Sequence, residues 1–444
     1  MKIQPARRMR GRIRISGDKS ISHRAAIIAA LADGRTRISN FSTSEDCAST
    51  LRCLAQLGVT IKRDGGNDVL IDGVGTRRFR KTSEAPLDCG NSGSTMRLLA
   101  GVLAAQDFTS TLTGDASLRA RPMRRIIEPL ELMGARLASN HGCAPLQING
   151  RKPLTPIRYQ PAVASAQVKS CLLFAGLGAD GRTEISENAI TRDHTERLLQ
   201  WCGVPVQTQE MHDARQADSV RKTVSIEGPA HLSACDIVVP GDISSATFFI
   251  AAATLLPDSD LVIEEVCLNQ TRTQILKTLM ALNGDININQ LQEANNEPSG
   301  DLHIKGRHTL TPLSSEANLL RGALIPQLID ELPMLAVLGT QIEGGIEIHD
   351  AMELRVKETD RIAATVANLR AMGAQVTEYD DGLAVHGCTH LYGAQLDSFN
   401  DHRIAMAFTV AALVAQGESE IKGAECVRIS FPEFFQKLEQ VIER

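Results

Sequence analysis

One pattern recurs six times along the 444-residue chain, at intervals of roughly 70 to 90 residues. Each copy begins with a helix pattern made almost wholly of small and apolar residues. These are Ser22–Ala32, Ser94–Ala105, Ala166–Leu177, Ser244–Leu255, Glu331–Thr340 and His402–Ala415. A helix that is apolar on all sides has to be buried. A short strand pattern follows each, such as Thr109–Leu112 or Ile346–Ile348. Then comes an amphipathic helix ending near glycine, as in Cys47–Leu57 before Gly58 and Arg361–Met372 before Gly373, and then a strand pair. The unit therefore reads β-α-β-α-β-β, with an inner first helix and an outer second one. Six such units exceed what one core can hold, so the pattern predicts an α/β (α+β) protein with three repeats in each of two domains. The N-terminal strand Ile13–Ser16 needs a partner from elsewhere, and Asp236–Pro240 is the expected crossover. A ligand cleft between two such domains is the default expectation.

Composition narrows the function. The chain carries a net charge of −5, and only 3% of its residues are aromatic. Those values argue against a nucleic-acid partner, base-stacking surfaces and aromatic sugar grooves. Local basic clusters on a mildly acidic chain suit a small anionic ligand instead. The ten cysteines show no CxxC spacing and no metal-type pairing with histidine, so no metal is expected. Cys47, Cys53, Cys89, Cys171 and Cys267 read as reduced core residues. Apolar runs such as Phe248–Ala253 are far short of the roughly 20 residues a membrane span needs. The basic N-terminus lacks an apolar signal core, so a cytoplasmic protein with no membrane partner is expected.

The chemistry lies on loops at helix starts. Leu354–Arg361 packs three cations and two carboxylates into eight residues, just before the helical run Ile362, Val366, Leu369 and Met372. Thr359 or Asp360 would cap that helix. Related loops are Gly17–Arg24, Asp88–Arg97, Gly114–Pro122 with Arg119 and Arg121, Ser165–Lys169, Thr191–His194, Asp330-Glu331 and Asn400–Arg403. Free backbone N–H groups, the helix dipole and a basic side chain together make an anion site. Taken singly, each loop has a plainer reading. Lys19 is an exposed charge, His23 and His402 are capping or core histidines, and Glu358 is a salt-bridged carboxylate. Recurrence at matching places in the repeat favours the functional reading. Gly90-Asn91-Ser92-Gly93 lacks both nucleotide-loop spacings. Asp330 stands before the apolar run Leu332–Leu338, which makes it the more interesting acid.

At these loops the chain resembles the EPSP synthase family, the 3-phosphoshikimate 1-carboxyvinyltransferases. The matching motifs are Gly17–Arg24, Gly90–Arg97, Arg121-Pro122, Ser165–Gln167, Leu354–Arg361 and Asn400–Arg403. They span nearly the whole chain in order. Ser165–Ser170 and Thr191–Glu196 resemble the branch that includes glyphosate-tolerant forms. The resemblance implies a two-domain, inverse αβ barrel-like enolpyruvyl transferase fold. One domain would comprise residues 1–16 and 239–444, the other residues 17–238, with the active site in the cleft between them. The implied reaction moves enolpyruvyl from phosphoenolpyruvate (PEP) to the 5-hydroxyl of shikimate 3-phosphate, releasing phosphate, through a tetrahedral intermediate. No cofactor is implied. Carried over by motif, Lys19 touches both substrates. Ser20, Arg24, Ser165, the Ala166 backbone, Gln167, Arg192, Asp330 and Lys357 hold shikimate 3-phosphate. Gly93, Arg121, Gln167, Arg361 and Arg403 hold PEP. Asp330 takes the hydroxyl proton, and Glu358 or Lys19 protonates the PEP methylene, Glu358 being preferred. Cations on both domains would repel across an empty cleft, so closure on shikimate 3-phosphate is expected.

Two departures stand out. Many relatives have a PEP-contacting lysine shortly before the C-terminal Phe-Pro, but Ile429 occupies that place here, beside Arg428. Gly93 is where tolerant forms carry alanine, so glyphosate is expected to compete with PEP. The nearer rival is UDP-N-acetylglucosamine 1-carboxyvinyltransferase, whose mobile loop carries a cysteine. Here Ala116 is the nearest equivalent. Each domain can bury its own helices, so a monomer is the expectation.

Overall fold

The computed structural model describes residues 1–444 apart from 77–78, 213–219, 308 and 315. The chain forms two compact units. A middle unit comprises Ser16–Val239 with Glu293–Glu297, and a second unit comprises Met1–Ile15, Pro240–Gln292 and Pro298–Arg444.

The six small-residue patterns are six helices: Lys19–Leu31, Gly93–Ala104, Ala166–Gly176, Ile243–Leu255, Leu332–Gly339 and His402–Val414. Nearly every residue beyond their first turns is buried. Four start at a side-chain cap, Asp242 among them, which accepts from the Ser244 N–H at 2.8 Å. Asp18 accepts from the Ile21 N–H at 2.8 Å, Ser92 from Thr95 N–H at 3.1 Å and Asp401 from Arg403 N–H at 2.8 Å. The caps satisfy otherwise orphaned N–H groups. They also bring Lys19 and Ser20 inside the first helix, which starts three residues before the apolar pattern does.

In the middle unit three four-stranded sheets share one plan. A two-residue strand lies parallel to the strand after a buried helix, and an antiparallel pair completes the sheet. Leu87–Asp88, Thr109–Thr113, Cys143–Asn149 and Arg136–Asn140 show it in full. Strand Thr109–Thr113 turns Ser110 and Leu112 inward, the period of two that a sheet with one buried face requires. Gly101 lets helix Gly93–Ala104 approach helix Ala166–Gly176 closely. A Cβ there would stand 2.0 Å from the Cys171 carbonyl oxygen.

The second unit repeats the plan with one exchange. Strand Arg8–Arg14 precedes the first buried helix, yet it pairs in parallel with Asp260–Cys267, the strand after the fourth. Ile237–Val238 precedes the fourth helix, yet it pairs in parallel with Asp33–Ser39, the strand after the first. The chain thus closes each unit with a strand from the other end of the crossover. The N-terminus completes the sheet of the sixth copy, and the C-terminus extends that of the fourth. Lys2–Ile3 pairs with Ser419–Lys422, and Ile442–Glu443 pairs with Arg8–Arg14. Phe249 in the fourth buried helix packs against Phe431 and Phe434 at 6.0 and 5.7 Å between ring centroids, which anchors the C-terminal turn.

Among the described residues no single helix is long and apolar enough to cross a membrane. Cys47, Cys53, Cys89, Cys171 and Cys267 are buried and form no disulfide. Cys202 and Cys235 form a disulfide, which their separation of 33 residues gave no reason to expect.

Candidate active site

Each unit holds its expected site residues at or near helix starts. In the middle unit, Lys19 opens its helix and sets Nζ 3.0 Å from Asp46 Oδ2. One turn on, Arg24 is buried and fully committed. Its guanidinium donates to Thr195 Oγ1 at 2.7 Å, Ser170 Oγ at 2.8 Å and the Ser20 carbonyl at 2.9 Å. Arg192 donates to Ser20 Oγ at 3.3 Å. Ser20, Arg24 and Arg192 therefore belong to one bonded group, and Lys19 precedes Ser20 directly in the chain.

The second helix start joins it. Arg121 donates to Asn91 Oδ1 at 2.7 Å and to Ser117 Oγ at 3.1 Å, on a short helix, Ala116–Ala120, that the loop pattern gave no sign of. Gln167 donates to Ser94 Oγ at 3.0 Å and accepts from Arg97 at 2.7 Å. Arg97 is 6% exposed and stands at Gly93, where an added Cβ would lie 2.7 Å from its Nη1 and 3.5 Å from that of Arg121. Ser165 precedes the third helix, whose first two residues are Ala166 and Gln167; all three are half-buried. Behind these groups runs a buried chain in which His23 Nδ1 meets Thr50 Oγ1 and Thr50 meets Thr95 Oγ1, each at 2.7 Å. Burial, then Lys19 and Arg24, push the His23 pKa well below its ordinary value, so the ring is neutral.

The second unit builds its cluster around Arg361. This buried guanidinium donates to Asp401 at 2.7 and 3.3 Å and to Glu358 at 2.6 Å, with Asp330 Oδ1 at 3.7 Å. Burial opposes its charge, but Asp401, Glu358 and Asp330 outweigh that and raise its pKa further. Arg403 donates to the Asp330 carbonyl at 2.8 Å, and its Nη2 lies 3.5 Å from the Asp330 carboxylate. Lys357 pairs with Glu353 at 2.8 Å. Asp360 is the cap of helix Arg361–Ala371, accepting from Ala363 N–H at 3.0 Å. Glu331, beside Asp330, accepts from Ser244, which in turn accepts from Arg272 at 2.7 Å. Ile429 packs against the hydrophobic core, and Arg428 beside it is exposed.

Asp330, Glu358, Arg361 and Arg403 are thus brought together, as are Lys19, Ser20, Arg24 and Arg192, and likewise Gly93, Arg121 and Gln167. Sequence reasoning gave no role to Arg97, Asp401, Glu331 or Lys169. Arg97, Asp401 and Lys169 stand inside the motifs, and Glu331 follows Asp330 directly, so the sequence did point to their neighbourhood. Among the described residues no group of three or more histidine, cysteine or carboxylate side chains is arranged to hold a metal.

Two sets of cations at helix starts, one with paired carboxylates, define a handler of multiply anionic small molecules. The model of the EPSP synthase family, 3-phosphoshikimate 1-carboxyvinyltransferase, matches residues 3–438. The chain belongs to that family. A 3-phosphoshikimate 1-carboxyvinyltransferase of Koribacter versatilis is 49% identical over 444 residues, covering 100% of this chain and 99% of that protein. One of a Synechococcus species is 46% identical over 443 residues, covering 99% and 96%. The solved EPSP synthase of Acinetobacter baumannii superposes with a TM-score of 0.84 at 38% identity, covering 99% of this chain and 98% of that one.

Proposed function

We propose that this chain transfers the enolpyruvyl group of PEP to the 5-hydroxyl of shikimate 3-phosphate, releasing phosphate. Family membership along almost the whole length supports the reaction. The single structural observation that carries the chemistry is the group around Arg361, where two carboxylates, Asp330 and Glu358, sit on one buried guanidinium.

The roles follow from charge and proton balance. PEP brings a carboxylate and a phosphate, and Arg121, Arg361 and Arg403 with Gly93 and Gln167 bind it. Planar guanidinium forks match both groups. Lys19, Ser20, Arg24, Ser165, Ala166, Gln167, Arg192 and Lys357 bind shikimate 3-phosphate. Addition needs a proton delivered to the PEP methylene and one removed from the 5-hydroxyl. Asp330 removes the hydroxyl proton, and Glu358 protonates the methylene carbon. The C–O bond that forms gives a tetrahedral ketal phosphate. Its collapse expels phosphate, which takes up the proton held by Asp330, and returns a methyl proton to Glu358, forming the enol ether product. Holding the two substrates together removes much of the entropic barrier. Arg24 acts through its lock on Ser20 as well as through its charge, because each of its three guanidinium nitrogens already donates to the protein.

We further read the protein as a cytoplasmic monomer that takes glyphosate in place of PEP. A phosphate-release assay with PEP and either shikimate 3-phosphate or UDP-N-acetylglucosamine tests the reaction. Release with the first acceptor alone is expected. Release with the UDP-sugar, or with neither, defeats the proposal.

A further inference from the structure

The middle unit encloses a lysine that the reaction above does not use. Lys169 lies in the first turn of helix Ala166–Gly176, with no exposed side-chain surface. Its Nζ stands 2.8 Å from Glu187 Oε2 and 2.9 Å from Glu196 Oε1, both carboxylates buried as well. Glu187 ends strand Gly181–Glu187, and Glu196 lies in the first turn of helix His194–Trp201. One ammonium between two carboxylates leaves an excess negative charge, and the surroundings absorb it. Thr191 Oγ1 lies 2.8 and 2.9 Å from the two Glu187 oxygens as a donor, and Glu196 sits where the helix dipole favours an anion. Burial opposes the charge on Lys169, but Glu196 and Glu187 outweigh it and raise its pKa, so the ammonium stays charged.

The two carboxylates bracket residues 188–195, the stretch that carries Arg192. Both ends of that stretch are thereby tied to one ammonium. The ammonium itself sits on the helix turn that presents Ala166 and Gln167. A second tie runs alongside: Thr195 Oγ1 lies 2.7 Å from Ser170 Oγ, and Arg24 donates to both hydroxyls. A buried ion cluster is an expensive way to gain stability, since apolar packing commonly does as well. Its geometric effect is the better account of it.

We propose that Lys169 is a positioning residue for shikimate 3-phosphate. By clamping Glu187 to Glu196 it fixes the 188–195 stretch so that Arg192 meets the ligand held at the first turn of the Ala166–Gly176 helix. The proposal rests on reading Arg192 and Gln167 as ligands of that substrate.

Three variants test it, with calorimetric titration of shikimate 3-phosphate, steady-state kinetics and thermal melts. Glu196→Gln removes one of two buried like charges and leaves the Lys169–Glu187 pair, so the fold is not threatened. It is expected to keep the Tm, kcat and the KM for PEP while weakening shikimate 3-phosphate about tenfold, the scale of a displaced contact. Lys169→Met is expected to show the same selective loss with a lower Tm. Arg192→Ala is the control and is expected to lose affinity directly. If Arg192→Ala binds weakly while Glu196→Gln binds as tightly as the parent, the clamp is wrong and the site reading stands. If Arg192→Ala binds normally, both fall. An affinity loss shared equally by PEP, or one that tracks the Tm, also overturns positioning.

Discussion

Arg361 and Asp401 form a two-pronged ion pair, with the guanidinium Nε at 2.7 Å from one carboxylate oxygen and Nη2 at 3.3 Å from the other. Asp401 also caps helix His402–Val414, so one carboxylate fixes both Arg361 and the start of the segment that carries Arg403. Lysine keeps the charge but cannot span Asp401 and Glu358 together. Arg361→Lys is therefore expected to raise the KM for PEP about tenfold or more and to lower the Tm, because part of a buried carboxylate pair loses its partner. Steady-state kinetics beside a thermal melt check it. An unchanged KM for PEP contradicts the assignment.

Gly93 sits against two guanidiniums. A methyl group at this position would press on Arg97 Nη1 at 2.7 Å, the movable end of a side chain, so the fold should tolerate it. Glyphosate is expected to inhibit the parent competitively with PEP. Gly93→Ala is expected to weaken that inhibition about tenfold, with a smaller rise in the KM for PEP, since one crowding methyl changes affinity by about 1–3 kcal/mol. Inhibition series at several PEP concentrations measure both. Equal inhibition of parent and variant contradicts the crowding.

Acid should unfold the middle unit in part through His23. The folded ring is held neutral by burial and by Lys19 and Arg24, whereas an unfolded histidine takes up a proton near pH 6.5. Its contribution is therefore fully present above about pH 6.5 and is lost as pH falls toward the depressed folded value, at about 1.4 kcal/mol per pH unit. Denaturant titrations between about pH 5 and 7.5 should show a shallower acid slope for His23→Gln than for the parent. Identical slopes contradict it.

Thiol reactivity should be confined to the surface. Burial pushes the Cys47 and Cys171 pKa values up to about 12, and that of Cys426 to about 11, while Cys388 is exposed. Brief alkylation of native protein near pH 8, read by peptide mass spectrometry, should label Cys388 first and leave Cys47 and Cys171 unmodified. Early labelling of Cys47 contradicts this.

The repeat was legible because an all-apolar helix has only one place to go. Helices such as Ile243–Leu255 and His402–Val414 declare burial through composition alone. Helix starts were less legible, since Asp18 draws polar Lys19 and Ser20 into the helix through a cap that apolar periodicity does not register. The exchange of Arg8–Arg14 with Ile237–Val238 was legible only in part: the N-terminal strand needed a distant partner and Asp236–Pro240 marked the crossover, but the pairing itself could not be read. Strand pairing between distant segments leaves no local mark. For the site, charge recurring at helix starts pointed to Lys19, Arg361 and Arg403. It gave no role to Arg97 or Lys169, whose partners Gln167 and Glu196 depend on how helices pack.

The proposed reaction calls on both Lys19 and Asp330. Phosphate release from PEP and shikimate 3-phosphate, measured for the parent, Lys19→Met and Asp330→Asn, tests it most directly. The parent should turn over, and each variant, altered in a different unit, should lose about a hundredfold or more of that rate while staying folded. Near-parental turnover by either variant contradicts the claim.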